Sequence, residues 1–271
     1  MIKNKIKLLR SKFSQYRIDG YIIPKNDEFF SEYAEKDRLK IISNFNGSAG
    51  LAIVLKNKNY LFVDGRYTIQ AHKQSGKEFK IIEIHKFLPF RIIKNLTLGF
   101  DPKLFTRRQL DIYFNNSLNL KIVNKNLIDE INKGKKFNPK PFFSLKDKLV
   151  GETYKQKINK VIKILKSNKA DYLFISAPEN VAWILNIRGY DSEFSPIPNA
   201  RLLINYNGEI DLFSNPKKII KLKKKISKKI NFFDENIIEK KLKQLKKSKV
   251  WLDSITCCIF YKNLLKKNNI I

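Results

Sequence analysis

The side chains of this sequence best placed to do chemistry gather around two short motifs separated by thirteen residues, Gly47-Ser48-Ala49-Gly50 and Asp64-Gly65-Arg66-Tyr67. An Asp and an Arg flanking a glycine at a strand end can form an ion pair that fixes the turn, or can present the guanidinium to a ligand carboxylate or carbonyl. Spacing alone leaves both readings open. Ser48 does not read as a nucleophile, because the hydrolase elbow places its serine in Gly-x-Ser-x-Gly between strand and helix, whereas Ser48 precedes a strand. A phosphate loop would need Gly-Lys-Ser/Thr, and an RNA-clamping Gly-x-x-Gly loop would need basic middle residues. Small residues that let backbones approach closely account for this motif better.

A hydrolytic metal centre needs several nitrogen or oxygen ligands around an open position, commonly with a histidine among them. The chain has two histidines, His72 and His85. His72 falls on a helix face with no acidic residue three or four positions on. His85 shares a strand face with Glu83, which reads as a solvated edge. No catalytic residue and no metal ligand is assigned. Glu28, Glu32 and Glu35 would share a helical stripe behind a capping Asp27, an acidic first turn favoured by the helix dipole. Cys257 and Cys258 are adjacent, which suits neither a disulfide framework nor Cys-x-x-Cys ligation, and they read as reduced thiols.

The elements that position these groups follow from periodicity. Ile2, Ile6, Leu9 and Phe13 mark an amphipathic helix that Gly20 can end before the strand Tyr21-Ile22-Ile23. Residues 51–55 and 60–63 make a hairpin around Lys56-Asn57-Lys58-Asn59. A helix from Thr68, strands at 79–84 and 96–100 and a helix at 106–114 follow. Gly134, Pro139 and Pro141 suggest a linker, which gives a first domain at 1–135, a linker at 136–149 and a second domain at 150–271. The second half repeats the first: a helix over 152–165, a strand at 171–175, a hairpin over 201–213, and Val250-Trp251-Leu252-Asp253 matching Leu98-Gly99-Phe100-Asp101, each Asp poised to cap a helix. The segment 179–186 reads as an amphipathic helix with Trp183 in the core. The resulting fold class is α/β, two tandem similar domains with mixed sheets flanked by helices.

A chain of 271 residues with 43% hydrophobic content is long enough for two self-sufficient cores. The formal charge of +30 invites a nucleic-acid reading. The lysines, however, are spread among Ile and Asn over the whole chain, and arginine is rare, with Arg107-Arg108 the only adjacent pair. The densest run, residues 217–229, reads as a solvated helix with Ile220, Leu222 and Ile226 as its apolar stripe. No apolar run approaches the roughly 18 residues that span a bilayer, and the N-terminus lacks a signal-like block, so the expected location is cytoplasmic.

The segment from Ser31-Glu32-Tyr33 through Phe45-Asn46-Gly47-Ser48-Ala49-Gly50 to Asp64-Gly65-Arg66-Tyr67 and Gln70-Ala71 resembles the N-terminal domain of the aminopeptidase P (Xaa-Pro aminopeptidase) family, peptidase family M24. Pro178-Glu179-Asn180-Val181-Ala182-Trp183-Ile184-Leu185-Asn186-Ile187-Arg188-Gly189-Tyr190-Asp191, with Pro196 and Leu202-Leu203-Ile204, resembles the second domain of its three-domain type. Asn44 and Asn46 stand where that family usually has Gly and Thr. The resemblance implies creatinase N-terminal-like domains with a ribonuclease H-like fold. It implies removal of an N-terminal residue preceding proline by two Mn(2+) ions in a later domain, whose Asp, Asp, His, Glu, Glu ligands have no counterpart here. The expectation is therefore the non-catalytic N-terminal portion of such an enzyme, inactive by itself and a fragment or truncated reading frame, with its second domain incomplete. Such a portion shapes the active-site entrance and subunit contacts, with Arg66 as the substrate-binding residue and no cofactor of its own. The expected partners are peptides with proline at the second position and, in a homodimer, a second copy; no specific nucleic acid and no membrane are expected. The alternative is a stand-alone binding module, like the aminopeptidase-like region in the large subunit of the histone chaperone FACT. A basic nucleic-acid binder is the third reading.

Overall fold

The computed structural model describes residues 2–271 apart from 32, 34, 35, 116, 117, 133–137, 193 and 224–228. The chain divides into two compact units, Met1–Lys136 and Phe137–Ile271.

In the first unit, strands β1 (Gly20–Pro24), β2 (Gly50–Leu55), β3 (Asn59–Val63), β4 (Lys80–Glu83), β5 (Thr97–Phe100) and β6 (Asn119–Ile122) form one sheet in the order β4-β3-β2-β1-β5-β6. Only β2 runs against its neighbours. The central strand β1 is buried at all its positions, as its unbroken apolar run requires when both faces are covered. On one face, Ile6 and Leu9 of the helix Ile2–Ser11, with Leu39 and Ile42 of the helix Arg38–Ser43, pack on Tyr21, Ile23, Ala52 and Leu61. By the two-residue alternation of a strand, Ile22, Leu51, Ile53 and Phe62 are buried towards the other face.

Two local expectations need correction here. The opening helix stops at Arg17, which takes the left-handed conformation (φ 49°), while Gly20 belongs to β1. A Cβ on Gly20 would lie 2.5 Å from Leu55 Cδ2, so the glycine serves close strand packing. The acidic helix behind Asp27 is absent among the described residues. Asp27 instead closes a turn, its Oδ1 accepting from the amides of Phe29 (2.9 Å) and Ser31 (3.0 Å). The next helix begins at Arg38 under an Asp37 cap; Glu32 and Glu35 lie outside the described residues.

The second unit contains β7 (Phe143–Ser144), β8 (Tyr172–Ile175), β9 (Ile187–Arg188), β10 (Arg201–Asn205), β11 (Ile210–Phe213), β12 (Ile230–Phe233) and β13 (Val250–Leu252). Its main sheet has the order β12-β11-β10-β8-β13, with β10 alone opposing its neighbours. This is the first sheet again, strand for strand, from β4 to β5. A single parallel bridge between Lys249 and Ile270 stands where Thr97 meets Asn119 at the start of β6.

Residues 138–149, described within the stretch 136–149 whose composition suggests a linker, carry structure that belongs to the second unit. Phe142 is fully buried in its core and β7 pairs with β9. The helix Pro178–Leu185 buries Val181, Ala182, Ile184 and Leu185. Trp183 points outward, 60% exposed, with Lys157 Nζ 4.2 Å from its ring centroid. The lysine-rich run is not one amphipathic helix over its described part: a short helix Pro216–Ile219 is followed by turn, and Ile220 is exposed while Ile219 and Leu222 are buried. Ile226 lies outside the described residues. Asp101 and Asp253 cap turns that precede a helix, accepting from Lys103 and Ile255 amides, while Thr106 and Cys258 occupy the helix N-cap positions.

Candidate functional site in the N-terminal unit

The two motifs meet at the carboxyl edge of the first sheet. Asp64 follows the last residue of β3 and caps the 3-10 turn Gly65–Tyr67. Its Oδ1 accepts from Arg66 N (3.0 Å) and Arg66 Nε (2.8 Å), and its Oδ2 lies 3.3 Å from His85 Nε2. The hydrogen bond from the Arg66 side chain leads the causes that hold the Asp64 carboxyl well below the usual carboxylate range. Arg66 Nε thus fixes the turn, while its side chain remains 74% exposed at the rim. His85 lies in the turn after β4, exposed, and pairs with Asp64, whereas Glu83 pairs with Lys86 at 2.9 Å.

Ser48 is tied into the same corner. Its Oγ lies 2.8 Å from Tyr67 Oη, and the Tyr67 ring meets Phe45 edge-on at 5.9 Å. The helix Thr68–Ser75 clamps the loop below through Asn46, whose Oδ1 accepts from Gln74 Nε2 (2.8 Å) and whose amide donates to Gln74 Oε1 (3.1 Å). Asn44 ends its helix at φ 66°, a conformation that asparagine and glycine both tolerate. A Cβ on Gly47 would collide with the buried Phe45 ring. Gly47→Ala is accordingly expected to cost about 1–3 kcal/mol by overpacking. A thermal midpoint equal to the parent's would refute that packing.

Between these motifs and the helix Arg107–Phe114 lies a cleft of about 320 Å³. Leu51, Phe62, Val63, Ile84 and Phe105 form its apolar floor, with Phe30 and Tyr113 as aromatic walls. Lys25, Asn26, Ser48, Asp64, His85 and Gln109 supply its polar edge. Burial raises the Tyr113 phenol above its ordinary value. Phe30 has φ 60°, a left-handed backbone that is strained for a bulky residue and is held here by the Asp27 turn. Periodicity carries no signal for this cleft, because its lining comes from five separated segments.

The second unit holds a counterpart visible only from strand register. Leu51 opposes Phe62 in the first sheet, and Arg201 opposes Phe213 in the second. Two residues beyond lie Asp64 and Asn215, and Asn215 Oδ1 accepts from Lys217 N (3.0 Å) as Asp64 accepts from Arg66 N. Lys217 thus stands in the place of Arg66. Counting from Asp101 and Asp253 likewise places Cys257 at Phe105 and Tyr261 at Gln109. In this copy the space is filled: Arg201 is 5% exposed, and its guanidinium carbon lies 5.0 Å from the Tyr261 ring centroid. Both cysteines are buried, and burial pushes the Cys257 thiol up to about 12.

Among the described residues no three His, Cys, Asp or Glu side chains converge to hold a metal ion. Nor is any described helix long and apolar enough to cross a membrane.

These features define a class: a duplicated mixed α/β domain in which an Asx-capped basic turn stands at the carboxyl edge of each sheet. Residues 5–124 and 134–271 each match a Creatinase/Prolidase N-terminal domain family. The chain belongs to that family, with one such domain in each half. It is 27% identical to Xaa-Pro aminopeptidase 1 of Dictyostelium discoideum over 99% of its length and 48% of that protein. It is 30% identical to a probable Xaa-Pro aminopeptidase P of Coprinopsis cinerea over 78% of its length and 36% of that protein. The X-prolyl aminopeptidase of Caenorhabditis elegans, described as a cytosolic enzyme with a di-nuclear active site, shares the fold with a TM-score of 0.87 at 24% identity, over 100% of this chain and 49% of that one. The chain spans about half the length of these relatives, or less.

Proposed function

We propose that this chain is the non-catalytic N-terminal portion of a cytoplasmic Xaa-Pro aminopeptidase, contributing the entrance to the active site and subunit contacts of a homodimer. The supporting observation is the likeness along the whole chain to about half of proteins that carry this name. On this reading the two Mn(2+) ions and the cleavage of the bond before proline belong to a domain outside these residues. The described residues offer no converging ligand set for such a pair. What the chain itself contributes is recognition: Arg66, held at its base by Asp64 and exposed at its tip, meets the carboxylate or a carbonyl of a peptide with proline at its second position. The purified chain supplied with manganese and an Xaa-Pro peptide is expected to release no N-terminal residue. Metal-dependent turnover by these residues alone would overturn the proposal.

A further inference from the structure

We infer that the cleft beside the Asp64–Arg66 turn is a subsite for an apolar side chain of the peptide, at a residue following the proline. The inference rests on the peptide-recognition reading of Arg66 and gives it a specificity.

Three independent observations carry it. First, the geometry is continuous: Asp64 lines the cleft and its Oδ1 lies 2.8 Å from Arg66 Nε. A peptide carboxylate on that guanidinium therefore sets the adjoining side chain at the cleft mouth. Second, the interior has the chemistry of a side-chain pocket. Leu51, Phe62 and Phe105 form an apolar floor, and Asn26 and Gln109 stand at the edge where backbone amides would pass. One of its walls, Phe30, is held in a left-handed backbone that a bulky residue adopts only under constraint. Third, the fold does not require the cleft. The second unit fills the equivalent space with Arg201 against Tyr261, so the opening in the first unit is a property of its own side chains. The charged cleft residue Lys25 does not redirect the site towards anions, because its Nζ is paired with Asp37 Oδ2 at 2.5 Å.

The test is an amide chemical-shift titration of the full 271-residue chain with three probes: Ala-Pro-Phe, Ala-Pro-Gly and the C-terminal amide of Ala-Pro-Phe. Ala-Pro-Phe should move the amides of Phe30, Ala49 and Leu51 and bind roughly 10- to 100-fold tighter than Ala-Pro-Gly, as burial of an aromatic side chain predicts. Phe30→Asn keeps a residue that tolerates the left-handed backbone and removes the wall. It should erase most of the preference for Phe while leaving Ala-Pro-Gly binding unchanged. Leu51→Arg, which imports the residue the second unit uses at this place, should do the same, with the thermal midpoint of each variant reporting its fold. Arg66→Ala should weaken both free-carboxylate peptides. Equal binding of Phe and Gly peptides that still depends on Arg66 would overturn the subsite and leave the recognition reading standing. Absence of binding by every probe would overturn the subsite and remove the support for Arg66 as well.

Discussion

Replacing Arg38 with alanine is expected to destabilise the N-terminal unit by about 3–5 kcal/mol, the cost of removing a buried cation shared by two half-buried carboxylates, of which Asp129 keeps only Lys36 among the described residues. The Arg38 side chain is 3% exposed and grips Asp129 with both ends of a fork, Nε to Oδ1 and Nη2 to Oδ2, each at 2.9 Å. Nη2 also pairs with Glu28. Burial alone would raise Asp129 and Glu28, but Arg38, joined at Asp129 by Lys36, outweighs it, and both sit below the usual carboxylate range. A depressed folded value stabilises the fold above the unfolded carboxylate range and is lost as pH falls through that folded value. The deficit of the variant should therefore be full above about pH 5 and shrink below about pH 4, where its carboxyls are neutral. Asp27 and Asp101, which burial raises, act in the opposite sense, favouring the fold below the carboxylate range, and they do so in both proteins. Both tryptophans, Trp183 and Trp251, lie in the second unit. Hydrogen exchange at the amides of β1 and β2 should accordingly report the loss while the Trp251 fluorescence transition stays in place. A deficit under about 1 kcal/mol at pH 7 would place this network among surface pairs.

Phe142→Ala should be as costly to the second unit, about 3–5 kcal/mol, although composition reads its segment as a linker. The ring is fully buried among Ile184, Leu185, Leu202 and Leu222. Its amide donates to Lys218 O at 2.7 Å, and Lys218 Nζ in turn pairs with Asp191 Oδ1 at 2.7 Å. Truncating Phe142 leaves a cavity beneath a buried ion pair. Denaturant unfolding followed through Trp251, which packs against this core, is expected to move to lower midpoint while exchange in β1 and β2 is unchanged. A shift within about 0.5 kcal/mol, the range of ordinary surface substitutions, would restore the linker reading.

These two cases show what periodicity can and cannot carry. The strands at 79–84, 96–100 and 171–175 and the helix at 106–114 are found within a residue or two, because each element buries a continuous apolar stripe set by its own period. The repeat was legible for the same reason. Trp183 on an amphipathic helix reads as core, whereas Ile184 and Leu185 already fill that face and the indole lies over Lys157 instead. The acidic run after Asp27 read as a helix because charge spacing does not distinguish a helix start from an Asx-capped turn. At the site, Asp64 and Arg66 are visible as residue types at a strand end, but the contact of His85 with Asp64 and the cleft beside it are not.

By itself the sequence determined the class of the chain: two copies of one α/β domain, the Gly47–Gly50 and Asp64–Tyr67 motifs at the end of a hairpin, and the family to which both halves belong. Those features are local, fixed by turn chemistry and by alternation along a few consecutive residues. Only the tertiary structure decided that Ser48 meets Tyr67, that Arg38 gathers Glu28 and Asp129, and that the first unit keeps open a space the second fills with Arg201. Each of these depends on strand order and register, which bring together residues 10 to 91 positions apart, and no window along the chain contains that information.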